Sequence, residues 1–299
     1  MPIVAVNAEG PRAALPPDLM AHVRPGAPVT VMIHGYRYTP DDPRNDPHRE
    51  LFALTPHRQN GRILSWPRRL GFGRGAPGMA VGFGWRAAGT LWQAHAEAAQ
   101  AGRALAELVT NIRGCGSGPV NVIAHSLGAR VALAALADLA PGDVGRMVLL
   151  SAAEVTGTAR AQLLTPAGRA AEVLNVTSRE NDLFDFMFER MIHGRARRDG
   201  AALGAGLSLA NCVTLQIDGS THRAGLRGLG FPTAPPARLV CHWSAYMRPG
   251  LFPLYRAFLH RPDRLPLGLL RAALPQDTAP RWSRILPRAP WPPGPVAAH

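Results

Sequence analysis

Ser126 is the residue whose neighbours best suit nucleophilic chemistry. It lies between the apolar run Val120 to Ala124 and the helix-compatible run Ala129 to Leu139, in the form Ala124-His125-Ser126-Leu127-Gly128. A small-x-Ser-x-Gly turn between a strand and a helix lifts the hydroxyl clear of the backbone, and bulk two residues before or after the serine would collide with neighbouring chain. Here Ala124 takes the first of those positions, where glycine is more usual, and the geometry can accept that change. A plain βα turn with a capping serine is the alternative.

A serine hydroxyl is a weak nucleophile. It needs an imidazole within hydrogen-bond reach, held in turn by a third group, commonly a carboxylate. The acid belongs in the loop after a strand beyond Ser126. Ser178-Arg179-Glu180-Asn181-Asp182 follows the strand-like Glu172 to Thr177 directly, which makes Asp182 the first choice, with Asp185 and Glu180 as rivals. An Asn-Asp helix cap ahead of Leu183-Phe184 explains the same residues without chemistry. Histidines beyond Asp182 are His193, His222, His242, His260 and His299. His222 follows the last clear strand on an Arg/Gly-rich stretch, whereas His242 has an apolar approach and is followed by Trp243 and Tyr246. Position alone leaves these two level.

These groups need elements to position them. Pro2 to Ala8, Val29 to Ile33, Met79 to Trp85, Val120 to Ala124, Arg146 to Ser151, Glu172 to Ser178 and Asn211 to Ile217 read as strands. Thr90 to Ile112 carries apolar residues at helical spacing and stops near Gly114 and Gly116. About one helix fits between the strands at 146–151 and 172–178, and closing helices are expected at Phe252 to Leu259 and Leu265 to Leu274. Strands alternating with helices predict an α/β fold, with a mostly parallel sheet flanked by helices on both faces and no large inserted cap domain. Such sheets bind ligands at the carboxyl ends of their strands. The expected layout is one domain over residues 1–274, with an ordered excursion or lid at 37–78 and an extended or disordered Pro/Arg-rich tail at 275–299. Within the excursion, His48 and His57 read as surface histidines. After the strand Val29 to Ile33 comes His34-Gly35-Tyr36, where Gly35 would let the backbone turn and aim the Tyr36 amide at a substrate oxygen.

Composition narrows the function. The 299 residues are 46% hydrophobic, with no apolar run near the roughly 18 residues of a membrane span, so a cytoplasmic protein without transmembrane segment is expected. The net charge of +13 comes from 33 arginines and no lysine, scattered along a chain rich in Gly and Pro. That pattern reads as compositional bias, and with no nucleic-acid-binding motif a nucleic-acid partner is not expected. Cys115, Cys212 and Cys241 lack metal-ligand spacing and read as buried or idle thiols.

Taken in order, His34-Gly35-Tyr36, Ser65-Trp66-Pro67, Ala124 to Gly128, Ser178 to Asp182 and His242-Trp243-Ser244-Ala245-Tyr246 resemble the α/β-hydrolase superfamily. The likeness spans roughly residues 29 to 259 and is nearest to bacterial members of uncharacterised function with an Ala-His-Ser-Leu-Gly turn. It implies a serine esterase or lipase-like hydrolase with Ser126 as nucleophile, Asp182 as acid and His242, in preference to His222, as base. The Tyr36 and Leu127 amides would form the oxyanion hole. The implied substrate is a small-molecule carboxylic ester or related acyl compound, with no metal or organic cofactor. An acyltransferase or a catalytically silent binding or scaffold protein on the same fold is the alternative.

Overall fold

The computed structural model describes residues 3–58, 63–75, 78–192 and 200–286. Its strands are β1 (Ile3–Glu9), β2 (Arg12–Ala14), β3 (Val29–Ile33), β4 (Met79–Gly84), β5 (Val120–His125), β6 (Val144–Leu150), β7 (Glu172–Thr177) and β8 (Cys212–Gln216). Its helices are α1 (Leu19–His22), α2 (Trp66–Leu70), α3 (Leu91–Gly114), α4 (Leu127–Ala135), α5 (Thr156–Leu163), α6 (Pro166–Ala170), α7 (Asp182–Ile192), α8 (Ser220–Gly228), α9 (Ser244–Met247), α10 (Leu251–His260) and α11 (Leu267–Ala273). The strands form one sheet in the order β2-β1-β4-β3-β5-β6-β7-β8. All its pairings are parallel except the short β1–β2 ribbon.

Both faces of the central strands are buried, so their sequences read as unbroken apolar runs. Side chains nevertheless alternate between two cores. Val29, Val31, Ile33, Val120, Val122 and Ala124 join the cluster under α3 and α4. Met32, Ile123, Val148, Leu150, Leu174 and Val176 join the cluster under α2 and α8 to α11. α3 starts on a capping box, Thr90 Oγ1 accepting from the Gln93 amide while the Gln93 side chain accepts from the Thr90 amide. It presses on α4 where Gly102 removes the Cβ that would come within 2.7 Å of the Ala134 Cβ.

Four expectations need correction. Two short helices, α5 and α6, stand between β6 and β7. The Arg/Gly-rich stretch around His222, where no helix is expected, forms α8. Residues 275–286 are docked rather than extended or disordered. The Ala279 amide donates to Gln216 Oε1, Arg281 forks onto Glu189 and the Trp282 amide donates to Asp182 Oδ2. The rest of that segment, 287–299, lies outside the described residues, as do His193 and His299. Within 37–78 the described part is ordered and buries Leu51, Phe52, Trp66, Leu70 and Phe72 in the second core. His48 is half-buried there and bonds Asn7 Oδ1 at 2.7 Å, so it is not a simple surface histidine.

Candidate functional site

Ser126 leaves β5 with φ 54° and ψ −125°, a backbone conformation that costs a non-glycine residue about 1–3 kcal/mol. The surrounding chain holds it there. Its amide donates to the Leu150 carbonyl at 3.0 Å, and its own carbonyl accepts from the Ala129 and Ala153 amides at 3.0 Å each. Small residues make room for the turn. A Cβ on Gly128 would lie 2.4 Å from the His34 carbonyl oxygen, and one on Gly35 would lie 2.8 Å from the Ser126 Cβ. Gly35 is therefore needed for close approach. The left-handed residue of that loop is Arg37, at φ 78°.

β3, β5, β7 and β8 deliver the candidate residues to one end of the sheet. β3 and β5 adjoin, and the chain departs from them in opposite directions, to β4 on one side and β6 on the other. Ligand crevices form at such a switch point. Among the described residues, the Tyr36 and Leu127 amides have no hydrogen-bond acceptor. The loop bearing Tyr36 is fixed by the Tyr36 hydroxyl donating to the Gly89 carbonyl at 2.6 Å and the Arg37 amide donating to Ala87 at 2.7 Å. Beneath it, His34 accepts from the Trp85 amide at 3.1 Å, and burial pushes its pKa down to about 3, so it is a neutral structural group.

His242 lies beside this turn. Its ring centre is 4.7 Å from that of His125 and 4.8 Å from that of Phe184. The His125 Nε2–H donates to the His242 carbonyl at 3.2 Å, which ties the loop after α8 to the residue preceding Ser126. Among the described residues, Ser126 and His242 are not joined by a hydrogen bond. Burial, and then the neighbouring His125, hold the His242 pKa well below the usual imidazole value, so the ring is neutral near pH 7.

The group that meets His242 is Asn181, not Asp182. Asn181 Oδ1 lies 2.7 Å from His242 Nδ1, and Asn181 Nδ2 donates to Asp185 Oδ1 at 2.8 Å. With the amide nitrogen committed to Asp185, the oxygen faces the ring and accepts its Nδ1–H. His242 Nε2 is left as an acceptor. Asp182 has other partners. Its Oδ1 is 3.3 Å from the Arg179 guanidinium and its Oδ2 accepts from the Trp282 amide at 2.6 Å. A single turn of 3-10 helix, Arg179–Asn181, precedes α7, and each step along it rotates the side chain by about 120°. Only one of two neighbours can therefore face the histidine.

Glu180 is engaged elsewhere too, in a buried ion pair with Arg248. Asp185, buried behind Asn181, is raised by desolvation to about 7. His222 is not near the turn. It lies on α8, after the strand three places from β5, its Nε2 is unpaired among the described residues, and it makes no hydrogen bond to Ser126, Asn181 or Asp182 there.

The fold and this site define an α/β protein with a strained serine at the switch point of a mostly parallel sheet. Residues 89–203 match a family model described as "Protein of unknown function (DUF726)". That match includes Ser126, Asn181, Asp182 and Asp185 but neither Tyr36 nor His242. No curated protein matches the chain. Among the described residues no helix is long and apolar enough to cross a membrane. Also among them, no group of three or more His, Cys, Asp or Glu side chains could hold a metal ion.

Proposed function

We propose that the chain is a serine hydrolase of the α/β-hydrolase type acting on a carboxylic ester or related acyl compound. The observation that carries this reading is the convergence at one strand end. Ser126 occupies a strained strand-to-helix turn, and beside it stands a neutral imidazole whose Nδ1–H is fixed by Asn181. In the proposed reaction Ser126 Oγ attacks the acyl carbonyl while His242 Nε2 takes its proton. The tetrahedral oxyanion is met by the Tyr36 and Leu127 amides, each such donor being worth about 10²–10³ in rate. His242 returns the proton to the leaving alcohol, then activates water to release the acid. In this reaction the hydrogen bond between Ser126 and His242 forms when substrate binds, as catalytic hydrogen bonds commonly tighten in the substrate complex.

Asn181 replaces the acid of the usual arrangement. It supplies orientation without negative charge, and Asp185 behind it, raised to about 7 by burial, accepts from its amide nitrogen. The test is turnover of a chain-length series of p-nitrophenyl esters by wild type and Ser126→Ala. Turnover lost in the variant supports the assignment, and turnover retained removes Ser126 from it. A second reading, a silent binding protein on this fold, is favoured by one observation: an amide, not a carboxylate, faces His242. A wild type inert to every ester and to serine-directed probes would select it. Acyl transfer in place of hydrolysis would appear as a new ester when an acceptor alcohol is added.

A further inference from the structure

Seven of the 33 arginines gather on one side of α10. Two adjoining cavities there, about 530 and 390 Å³, share Gly71, Arg74, Pro253 and Arg256 as lining and so form one groove. Buried Arg248, paired with Glu180, borders it, and the exposed Arg68, Arg69, Arg74, Arg256, Arg261 and Arg264 line it, with no Asp or Glu among its lining residues. Two of the exposed cations have neighbours of their own: Arg68 donates to Thr55 Oγ1, and Arg261 lies 3.6 Å from the exposed Asp263. Apolar residues share the lining, with Leu229, Phe231 and Leu265 at one end and Leu64 and Phe252 at the other.

From these features we infer that the groove binds a phosphate-bearing amphiphile, its phosphate on the arginines and its apolar part among the leucines and phenylalanines. Guanidinium groups recognise phosphate oxygens through paired, charge-assisted hydrogen bonds. Apart from Arg248, paired with Glu180, and Arg261, beside Asp263, these arginines have no acid against them in the lining. A single-stranded nucleic acid fits less well. Stacking successive bases needs several open aromatic faces, and here Tyr246 and Phe252 are buried, leaving half-buried Phe231. The apolar share would also be wasted on a bare polyanion. This inference does not rest on the proposed hydrolase, and the groove lies outside the Ser126 site. Two lining residues link it to that site: Tyr246, whose ring centre is 5.0 Å from that of His125, and Arg248, which pairs with Glu180 next to Asn181.

The test is calorimetric titration of the full chain with hexyl phosphate, monomeric dihexanoyl phosphatidic acid, dihexanoyl phosphatidylcholine, inorganic pyrophosphate and a dodecathymidine strand. One of the two phosphate amphiphiles should bind most tightly, the first indicating a soluble phosphate ester and the second a lipid. Arg74→Gln/Arg256→Gln/Arg264→Gln should weaken that binding at least tenfold. Arg24→Gln/Arg103→Gln/Arg169→Gln removes the same charge from other exposed positions and should weaken it less than twofold. Equal losses in the two triple variants would reduce the effect to net charge and overturn the inference. So would tighter binding of the phosphatidylcholine, the pyrophosphate or the oligonucleotide, or no saturable binding at all.

Discussion

A neutral imidazole can act as a base only if the lone pair on its outer nitrogen points at the nucleophile, so the tautomer of His242 decides whether Ser126 can react. Asn181 sets that tautomer only because Asp185 occupies its amide nitrogen. Asn181→Leu should lower kcat by about 10²–10⁴ with little change in KM, measured by steady-state ester hydrolysis. Asp185→Leu should behave similarly, whereas Asp185→Asn keeps an acceptor for Asn181 and should retain most activity. Asp185 also makes a stability prediction. Its folded pKa of about 7 lies above its ordinary 3.8, so between those values the folded state keeps a proton that the unfolded chain has lost. Stability from this group therefore falls as pH rises from about 4 to 7 and is level beyond. In thermal melts, Asp185→Asn should gain on wild type across that window and show no relative gain below pH 4. For His242, a lowered pKa keeps the base neutral below pH 6.5, so the acid limb of kcat/KM should lie under that value.

Secondary elements carry the precision these residues need. Gly128 brings the first turn of α4 against the end of β3, and a larger side chain would meet the His34 carbonyl. Gly128→Val should cost about 1–3 kcal/mol in chemical denaturation and abolish ester turnover. Thr90→Ala removes the α3 cap and should cost about 1 kcal/mol in chemical denaturation. The strands that matter were legible in the sequence because burial on both faces leaves Val29–Ile33 and Val120–Ala124 almost free of polar residues. The strand–serine–helix context was legible for the same reason. α8 was not, since Gly225 and Gly228 weaken its helical signal, and Gly225 is there because a Cβ would meet the Ala273 carbonyl 2.3 Å away. The partner of His242 was not legible either. Asn181 and Asp182 differ by one step of rotation about a 3-10 turn, and a rule favouring carboxylates selects the neighbour that instead binds Arg179 and Trp282.

At the scale of the molecule, the order β4-β3-β5-β6-β7-β8 gathers the Tyr36 loop, Ser126, the Asn181 turn and the loop leading to His242 along one edge. The chain then returns over α7. Arg281 lies beside Glu189, and its charge acts to lower the Asp185 pKa, so a segment nearly a hundred residues away bears on the group behind Asn181. Arg281→Ala should lower Tm and move the Asp185 titration further upward, visible as a wider pH window for the stability gain of Asp185→Asn in that background.

The most direct measurement is to map the covalent adduct of a fluorophosphonate on the intact chain by peptide mass spectrometry. A hydrolase built on Ser126 should give one adduct, on the peptide holding Ser126. The adduct should vanish in Ser126→Ala and form far more slowly in His242→Ala. No adduct, an adduct on another residue, or equal rates in wild type and His242→Ala would contradict it.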